Sequence, residues 1–132
     1  MQPAEIARKL YQEDQKEIPE NCGIYTEDMQ KVLLLPKMTI KEHFFVSRLV
    51  IFNETFASVN KDGDFVLLWH EGIAGRKASD VESSYVKCIN VSGKEHIIIW
   101  ADHCTVQNLN WWLYTLLCWT VKRALGSSKC HP

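Results

Sequence analysis

Residues 96–112 constrain the fold of this chain more than any other stretch, because an apolar run, a turn and a long apolar segment follow one another there. The β-branched and aromatic residues 97–100 (IIIW) predict a buried strand. This strand ends just before Asp102, and a helix is predicted over residues 107–125. A carboxylate at the carboxyl end of a strand, before a helix, is a common way to build a site in an open α/β sheet. No Asp or Glu occurs from residue 103 to residue 132, so nothing later in this sequence adds a second carboxylate.

Length and net charge limit the classes of protein to which this chain can belong. A chain of 132 residues predicts one domain with one hydrophobic core. The formal net charge of −1 gives no overall field that would attract nucleic acid. Charge is nevertheless uneven, since residues 103–132 carry Lys122, Arg123 and Lys129 and no acid. This basic end is either a weak phosphate-facing patch or a solvated helix end.

Targeting signals are not evident in the sequence. The first ten residues contain no apolar core of a signal peptide. The longest apolar run, residues 111–121, is interrupted by Thr115 and Thr120 and is shorter than the roughly 20 residues of a membrane span. Five cysteines without C-x-x-C spacing are typical of reduced thiols. We therefore expect a nuclear or cytoplasmic protein that does not contact a membrane.

Periodicity predicts an α/β fold with a mixed sheet and helices packed on it. The predicted elements are a helix over residues 4–17, a strand region over 24–35, a short helix capped by Thr39 and Glu42, a hairpin of strands 49–58 and 65–69, a helix opened by Ser79 and Glu82, the strand 97–100 and the helix 107–125. The third predicted helix, opened by Ser79, carries Val81, Tyr85, Cys88 and Ile89 at helical spacing, and we expect this side of it to be buried. The last helix is apolar nearly all round, so we expect it, and all five tryptophans, to lie in the core.

Four sequence blocks, in this order, resemble successive blocks of an uncharacterised transposase-like domain of the RNase H-like superfamily. They are DMQKVLLLP (28–36), LVIFNETF (49–56), WHEGIAGR (69–76) and IIIWADHCTVQNLN (97–110). The resemblance covers residues 24–117 and implies a partial RNase H-like domain over residues 24–126. Residues 1–23 would then be an N-terminal helical extension, and residues 127–132 a tail.

The resemblance implies that Asp28 and Asp102 occupy the positions of the first two metal-binding acids of a polynucleotidyl transferase. Such enzymes use two Mg²⁺ or Mn²⁺ ions, held by a few converging carboxylates, to cleave or transfer a strand. The element that carries the third acid of the family lies beyond the end of this chain, so the domain is expected to be C-terminally truncated. Glu71 is a weak alternative for a third acid, and it otherwise forms a surface pair with Arg76.

The polar residues around the last helix have two interpretations each. Gln107, Asn108 and Asn110 either support Asp102 and touch a phosphate, or they cap a buried helix. His103 stands where the family usually has Asn. We expect a transposase-derived domain that is catalytically incomplete. The alternatives are a residual two-metal nuclease or strand-transfer enzyme and a non-catalytic module that binds DNA or protein, with Lys122 and Arg123 as weak nucleic-acid contacts. Truncation should also leave part of helix 107–125 uncovered and favour self-association.

Overall fold

The structure is a computed structural model that describes residues 2–16, 18–37, 47–102 and 110–127. Its elements, in chain order, are α1 (Pro3–Asp14), β1 (Cys22–Met29), β2 (Leu33–Leu35), β3 (Leu49–Ser58), β4 (Phe65–His70), α2 (Ala78–Ser92), β5 (His96–Trp100) and α3 (Trp111–Ser127). The predicted class, α/β with a mixed sheet, is therefore confirmed. The short helix expected after Thr39, and both Gln107 and Asn108, lie outside the described residues.

The five strands form one mixed sheet around β3. Ile51 of β3 pairs with Leu33 of β2 on one edge and with His70 of β4 on the other. β1 pairs antiparallel with β3 and parallel with β5. The spatial order of the four longer strands is thus β4, β3, β1, β5. The short strand β2 pairs with the same edge of β3 as β1 does, next to residues 49–51 of β3. The strand predicted over residues 24–35 is therefore split into two strands by residues 30–32.

The predicted hairpin turn between β3 and β4 is confirmed. Lys61 and Gly63 both adopt positive φ angles, of 62° and 116° respectively. Gly63 supplies this conformation without the steric penalty of a side chain. The Asp64 carboxylate closes the loop, since its Oδ1 accepts a 2.8 Å hydrogen bond from the Ser58 backbone.

Helix α2 crosses from β4 to β5 and begins differently from the prediction. The Ser79–Glu82 capping box is wrong, because Asp80 caps the helix. Its Oδ2 accepts hydrogen bonds from the backbone N–H groups of Gly75 at 3.0 Å and Lys77 at 3.1 Å. The helix ends at Gly93, whose φ of 63° is left-handed.

The core lies between one face of the sheet and helices α2 and α3. It comprises Tyr25, Phe56, Val81, Tyr85, Cys88 and Leu113, which confirms three of the four buried positions predicted for α2. The fourth, Ile89, is half-buried. On the opposite face, here called the open face, Val66 and Leu68 of β4 are exposed. Helix α1 is held at the β5 end of the sheet, where the Trp100 indole N–H donates a 3.0 Å hydrogen bond to Asp14.

Helix α3 is much less buried than its composition predicts. Of its side chains that the structure describes, Leu113 is buried, whereas Trp111, Trp112 and Trp119 are 84%, 73% and 53% exposed. The expectation that these three tryptophans lie in the core is wrong, because one stripe of the helix packs against α2 and the core, and no described element covers the other side. The expectation that part of this helix is uncovered is confirmed. Within the described residues, no helix has the length and apolar character needed to span a membrane.

Candidate functional site

Two glutamates are buried side by side on the helix-covered face of the sheet. Side chains alternate along β1, so Glu27 lies on the same face as the core residue Tyr25. Glu54 of β3 is opposite Met29 in the register and lies on that face with Phe56. Glu27 is 5% exposed and Glu54 is fully buried at 0%. Buried carboxyl groups are rare in a core unless they are paired or hydrogen-bonded.

Tyr85 of α2 provides the partner of Glu27. Its hydroxyl donates a 3.1 Å hydrogen bond to Glu27 Oε2, and its ring packs edge-on against Phe56 with 5.2 Å between ring centroids. Burial raises the pKa of Tyr85, and the nearby Glu27 carboxylate raises it further. The phenol therefore stays protonated at neutral pH and can donate to Glu27.

Glu54 has a different environment from Glu27. Within the described part of the chain, neither of its carboxyl oxygens has a hydrogen-bond partner. The neighbouring Ser84 hydroxyl donates to the Val81 carbonyl of its own helix. Burial is the main reason that the pKa of Glu54 is raised to about 8; the nearby Ser84 hydroxyl acts to lower this pKa, and the charge of Glu27 acts to raise it. At neutral pH Glu54 is thus a neutral acid beside Glu27.

A cleft of about 650 Å³ lies between β5, α2 and α3, and Tyr85, the partner of Glu27, lines it. Its apolar wall includes Ile97 and Ile99 of β5 and Leu117 of α3. Asp102 lines the cleft together with Tyr85, and its charge contributes to the raised pKa of that phenol. Asp102, singled out from the sequence, therefore belongs to the Tyr85 end of this cleft.

Asp28 lies at the same edge of the sheet as Asp102 but not on the same face as Glu27. Thr26 pairs with Trp100 in the parallel register, so Asp28 and Asp102 each lie two residues beyond that pair. Asp28 is exposed, and its Oδ2 accepts a 2.9 Å hydrogen bond from the Gln30 side chain. Because it alternates with Glu27, it is directed to the open face.

Glu71 contributes to the end of the β3–β4 hairpin. Its Oε1 accepts a 3.0 Å hydrogen bond from the Val50 backbone N–H. The Arg76 guanidinium donates instead to the sulfur of Met29. Neither of the two roles predicted for Glu71, a third acid or a pair with Arg76, is thus found in the structure.

Asn110 caps helix α3. Its Oδ1 accepts a 2.9 Å hydrogen bond from the backbone N–H of Leu113, which satisfies one of the free donors at the start of the helix. The capping interpretation is therefore the one that this contact supports. Lys122 and Arg123 are exposed near the other end of α3, where the Arg123 guanidinium lies 5.2 Å from the ring centroid of Trp119.

The three acids singled out from the sequence have different surroundings in the structure. Asp28 is on the open face, Asp102 lines the cleft, and the Glu71 carboxylate accepts from a backbone amide. Across residues 2–16, 18–37, 47–102 and 110–127, no three His, Cys, Asp or Glu side chains form a group that could hold a metal ion.

Sequence reasoning missed the buried carboxyl pair, although a signal for it exists. In β3 the residues Phe52, Glu54 and Phe56 alternate, so Glu54 occupies an apolar position of the pattern. A charged residue at such a position predicts a buried acid.

Comparisons of this chain with protein-family models, with curated proteins and with solved structures gave no match. The function must therefore be inferred from the residues and their geometry.

Proposed function

We propose that this chain is a transposase-derived RNase H-like domain whose acidic centre, the buried pair Glu27 and Glu54, holds a proton in place of metal ions. It then acts as a non-catalytic module and neither cleaves nor transfers nucleic-acid strands. The observation that carries this proposal is Glu54, which is fully buried, unbonded at both carboxyl oxygens among the described residues, and protonated at neutral pH beside Glu27.

The order of the strands supports the proposed ancestry. Three antiparallel strands, β1, β3 and β4, are followed by a crossover helix and by β5, which is parallel to β1. This is the order that the resemblance to the RNase H-like core implies. The two expected acids, Asp28 and Asp102, lie at equivalent positions beyond the Thr26–Trp100 pair of neighbouring parallel strands.

The environment of the carboxyl groups supports the loss of catalysis. Two-metal chemistry requires ionised carboxylates that converge on two cations roughly 3.5–4 Å apart. Asp28 and Asp102 do not share a face, and Glu54, which does face the helices, is neutral because burial raises its pKa to about 8. A protonated carboxyl group is a poor ligand for Mg²⁺, which prefers charged, hard oxygen donors.

Glu27 has a structural role in this proposal. Glu27 accepts from Tyr85 and so ties the crossover helix to the central strand. A neutral Glu54 avoids the repulsion that two buried carboxylates would create. The acidic positions thus contribute to the stability of the domain without contributing to a reaction.

A cleavage assay tests this proposal. Supercoiled plasmid and single-stranded oligonucleotides are incubated with the wild-type protein, with Asp102→Asn and with Glu20→Gln in the presence of Mn²⁺. Glu20 is exposed and lies outside β1, β3 and β5, so its variant controls for the loss of a carboxylate that is not part of the site. We expect the three proteins to give the same background. Mn²⁺-dependent cleavage that Asp102→Asn abolishes and Glu20→Gln retains would overturn the proposal.

A further inference from the structure

The outer surface of α3 is an ordered apolar face. Residues 111, 115, 118 and 122 follow one another at spacings of four and three along the helix, which places them in one stripe. The stripe is flanked on each side by residues seven positions apart. The α3 face, as we call this surface, consists of Trp111, Thr115, Cys118 and Lys122 in the stripe, Trp112, Trp119 and Arg123 on one flank, and Tyr114 and Val121, which also line the rim of the cleft, on the other.

We propose that the α3 face is the surface through which two copies of this chain associate, with their α3 helices packed antiparallel. This inference goes beyond the proposed function and does not depend on it. It rests on the exposed area of the face, on the position of its charges and on its heptad spacing.

The exposed area is close to what a stable dimer requires. An aromatic side chain offers roughly 150–250 Å². Trp111, Trp112, Trp119 and Tyr114 are 84%, 73%, 53% and 47% exposed, so together they leave on the order of 600 Å² uncovered. A monomer rarely exposes a larger apolar patch, and a standard interface buries about 800 Å² from each partner. With Val121 and the stems of Lys122 and Arg123, the face reaches that size.

The charges of the face select the antiparallel orientation. Lys122 and Arg123 lie near the carboxyl end of α3, and residues 110–127 contain no acid. A parallel pair would bring these cations together. An antiparallel pair centred on Cys118 places Lys122 of one copy opposite Tyr114 of the other, where the ammonium can lie against an aromatic ring. It also opposes the two helix dipoles.

The composition of the face favours a second copy over a nucleic acid. Aromatic side chains with few charges are typical of the core of a protein–protein interface. Tight binding of a nucleic acid requires several phosphate contacts, whereas this face carries Lys122 and Arg123 alone, and Arg123 already lies over Trp119.

Light scattering after size exclusion tests the association. The wild-type chain should elute at twice its 15.3 kDa mass at micromolar concentration. The double substitution Trp111→Ser with Trp119→Ser should weaken the dimer about tenfold or more, as removal of aromatic hot spots does. Val66→Ser with Leu68→Ser removes equally exposed apolar groups from the open face and should leave the dimer intact. Thermal unfolding confirms that each variant is folded.

Two results of that experiment would overturn the proposal. One is a wild-type chain that stays monomeric throughout this concentration range. The other is a dimer that the open-face variant disrupts and the α3 variant leaves unchanged.

Disulfide cross-linking tests the orientation. Of the cysteines that the structure describes, Cys22 and Cys88 are buried and Cys118 is exposed. The experiment uses a chain with Cys104→Ser and Cys130→Ser, so that Cys118 is the thiol available for cross-linking. Mild oxidation should cross-link two copies through Cys118. Lys122→Cys combined with Cys118→Ser should not cross-link, since antiparallel packing separates the two positions by about 12 Å along the axis. Efficient cross-linking at position 122 would instead indicate a parallel pair and contradict the proposed orientation.

Discussion

The Tyr85 hydroxyl donates a 3.1 Å hydrogen bond to the Glu27 carboxylate, across the boundary between the crossover helix α2 and the central strand β1. Both side chains are buried. A buried hydrogen bond between side chains in such a place fixes the position of the helix relative to the strand more narrowly than apolar packing does.

Removing that hydroxyl should destabilise the domain. In Tyr85→Phe the ring still packs against Phe56, but Glu27 loses a donor inside the core. We expect the free energy of unfolding in urea to fall by about 1–3 kcal/mol. Tyr114→Phe, on the exposed side of α3, is the matched control and should change it by less than about 0.5 kcal/mol. Equal effects of the two substitutions would show that the Glu27 contact is not formed.

Glu54 should make the stability of the domain fall as the pH rises. Its folded-state pKa of about 8 is above its ordinary value of 4.5. Below pH 4.5 the group is protonated in both states and its contribution is fully present. Between 4.5 and about 8 the unfolded chain releases the proton while the folded protein keeps it, so stability is lost across this window.

The variant Glu54→Gln tests this pH dependence. Glutamine resembles the neutral acid in size and cannot ionise, so the decrease in unfolding free energy between pH 5 and pH 8 should become smaller than in the wild type by on the order of a few kcal/mol. The measurement is urea unfolding at several pH values, with Glu20→Gln as a control for an exposed carboxylate. An unchanged slope in Glu54→Gln would contradict the buried neutral state.

Asp80, and not Ser79, should control the start of α2. Asp80→Ala removes the acceptor of two backbone N–H groups, those of Gly75 and Lys77. We expect a loss of about 1 kcal/mol in the free energy of unfolding, typical of a lost cap. Ser79→Ala should be close to neutral. A larger effect at Ser79 would restore the capping box that the sequence predicts.

The contact between Trp100 and Asp14 should hold α1 on the sheet. No side chain of α1 is buried within the helix itself, so the 3.0 Å bond from the indole to Asp14 is a main attachment. Asp14→Ala should speed amide hydrogen exchange across α1 and reduce global stability by no more than about 1 kcal/mol. Glu13→Ala is the matched control. Unchanged exchange in Asp14→Ala would show that α1 is held by other contacts.

Several parts of the fold could be predicted from the sequence because their signals are local. The alternation of β3, the Asp62–Gly63 turn and the apolar run of β5 each depend on neighbouring residues. The helical spacing of Val81, Tyr85 and Cys88 likewise identified the buried side of α2.

The arrangement of the candidate site could not be predicted, because it depends on contacts between residues that are far apart in the sequence. Asp28 and Glu27 are neighbours, and the pairing of β1 with β3 and β5 decides which of them is directed to the helices. The exposure of α3 depends on which elements cover it, so its apolar composition alone was misleading. Asp80 was missed because the Ser79–Glu82 spacing matched a capping box equally well.

A direct measurement of the ionisation of Glu54 tests the central claim that the acidic centre holds a proton and not a metal ion. The carboxyl carbon of Glu54, assigned with the Glu54→Gln variant, is followed by NMR against pH in the presence and absence of Mn²⁺. We expect a midpoint near 8 that Mn²⁺ does not move. A midpoint at or below the ordinary value of 4.5, or one that falls when Mn²⁺ is added, would contradict the claim and indicate a surviving metal centre.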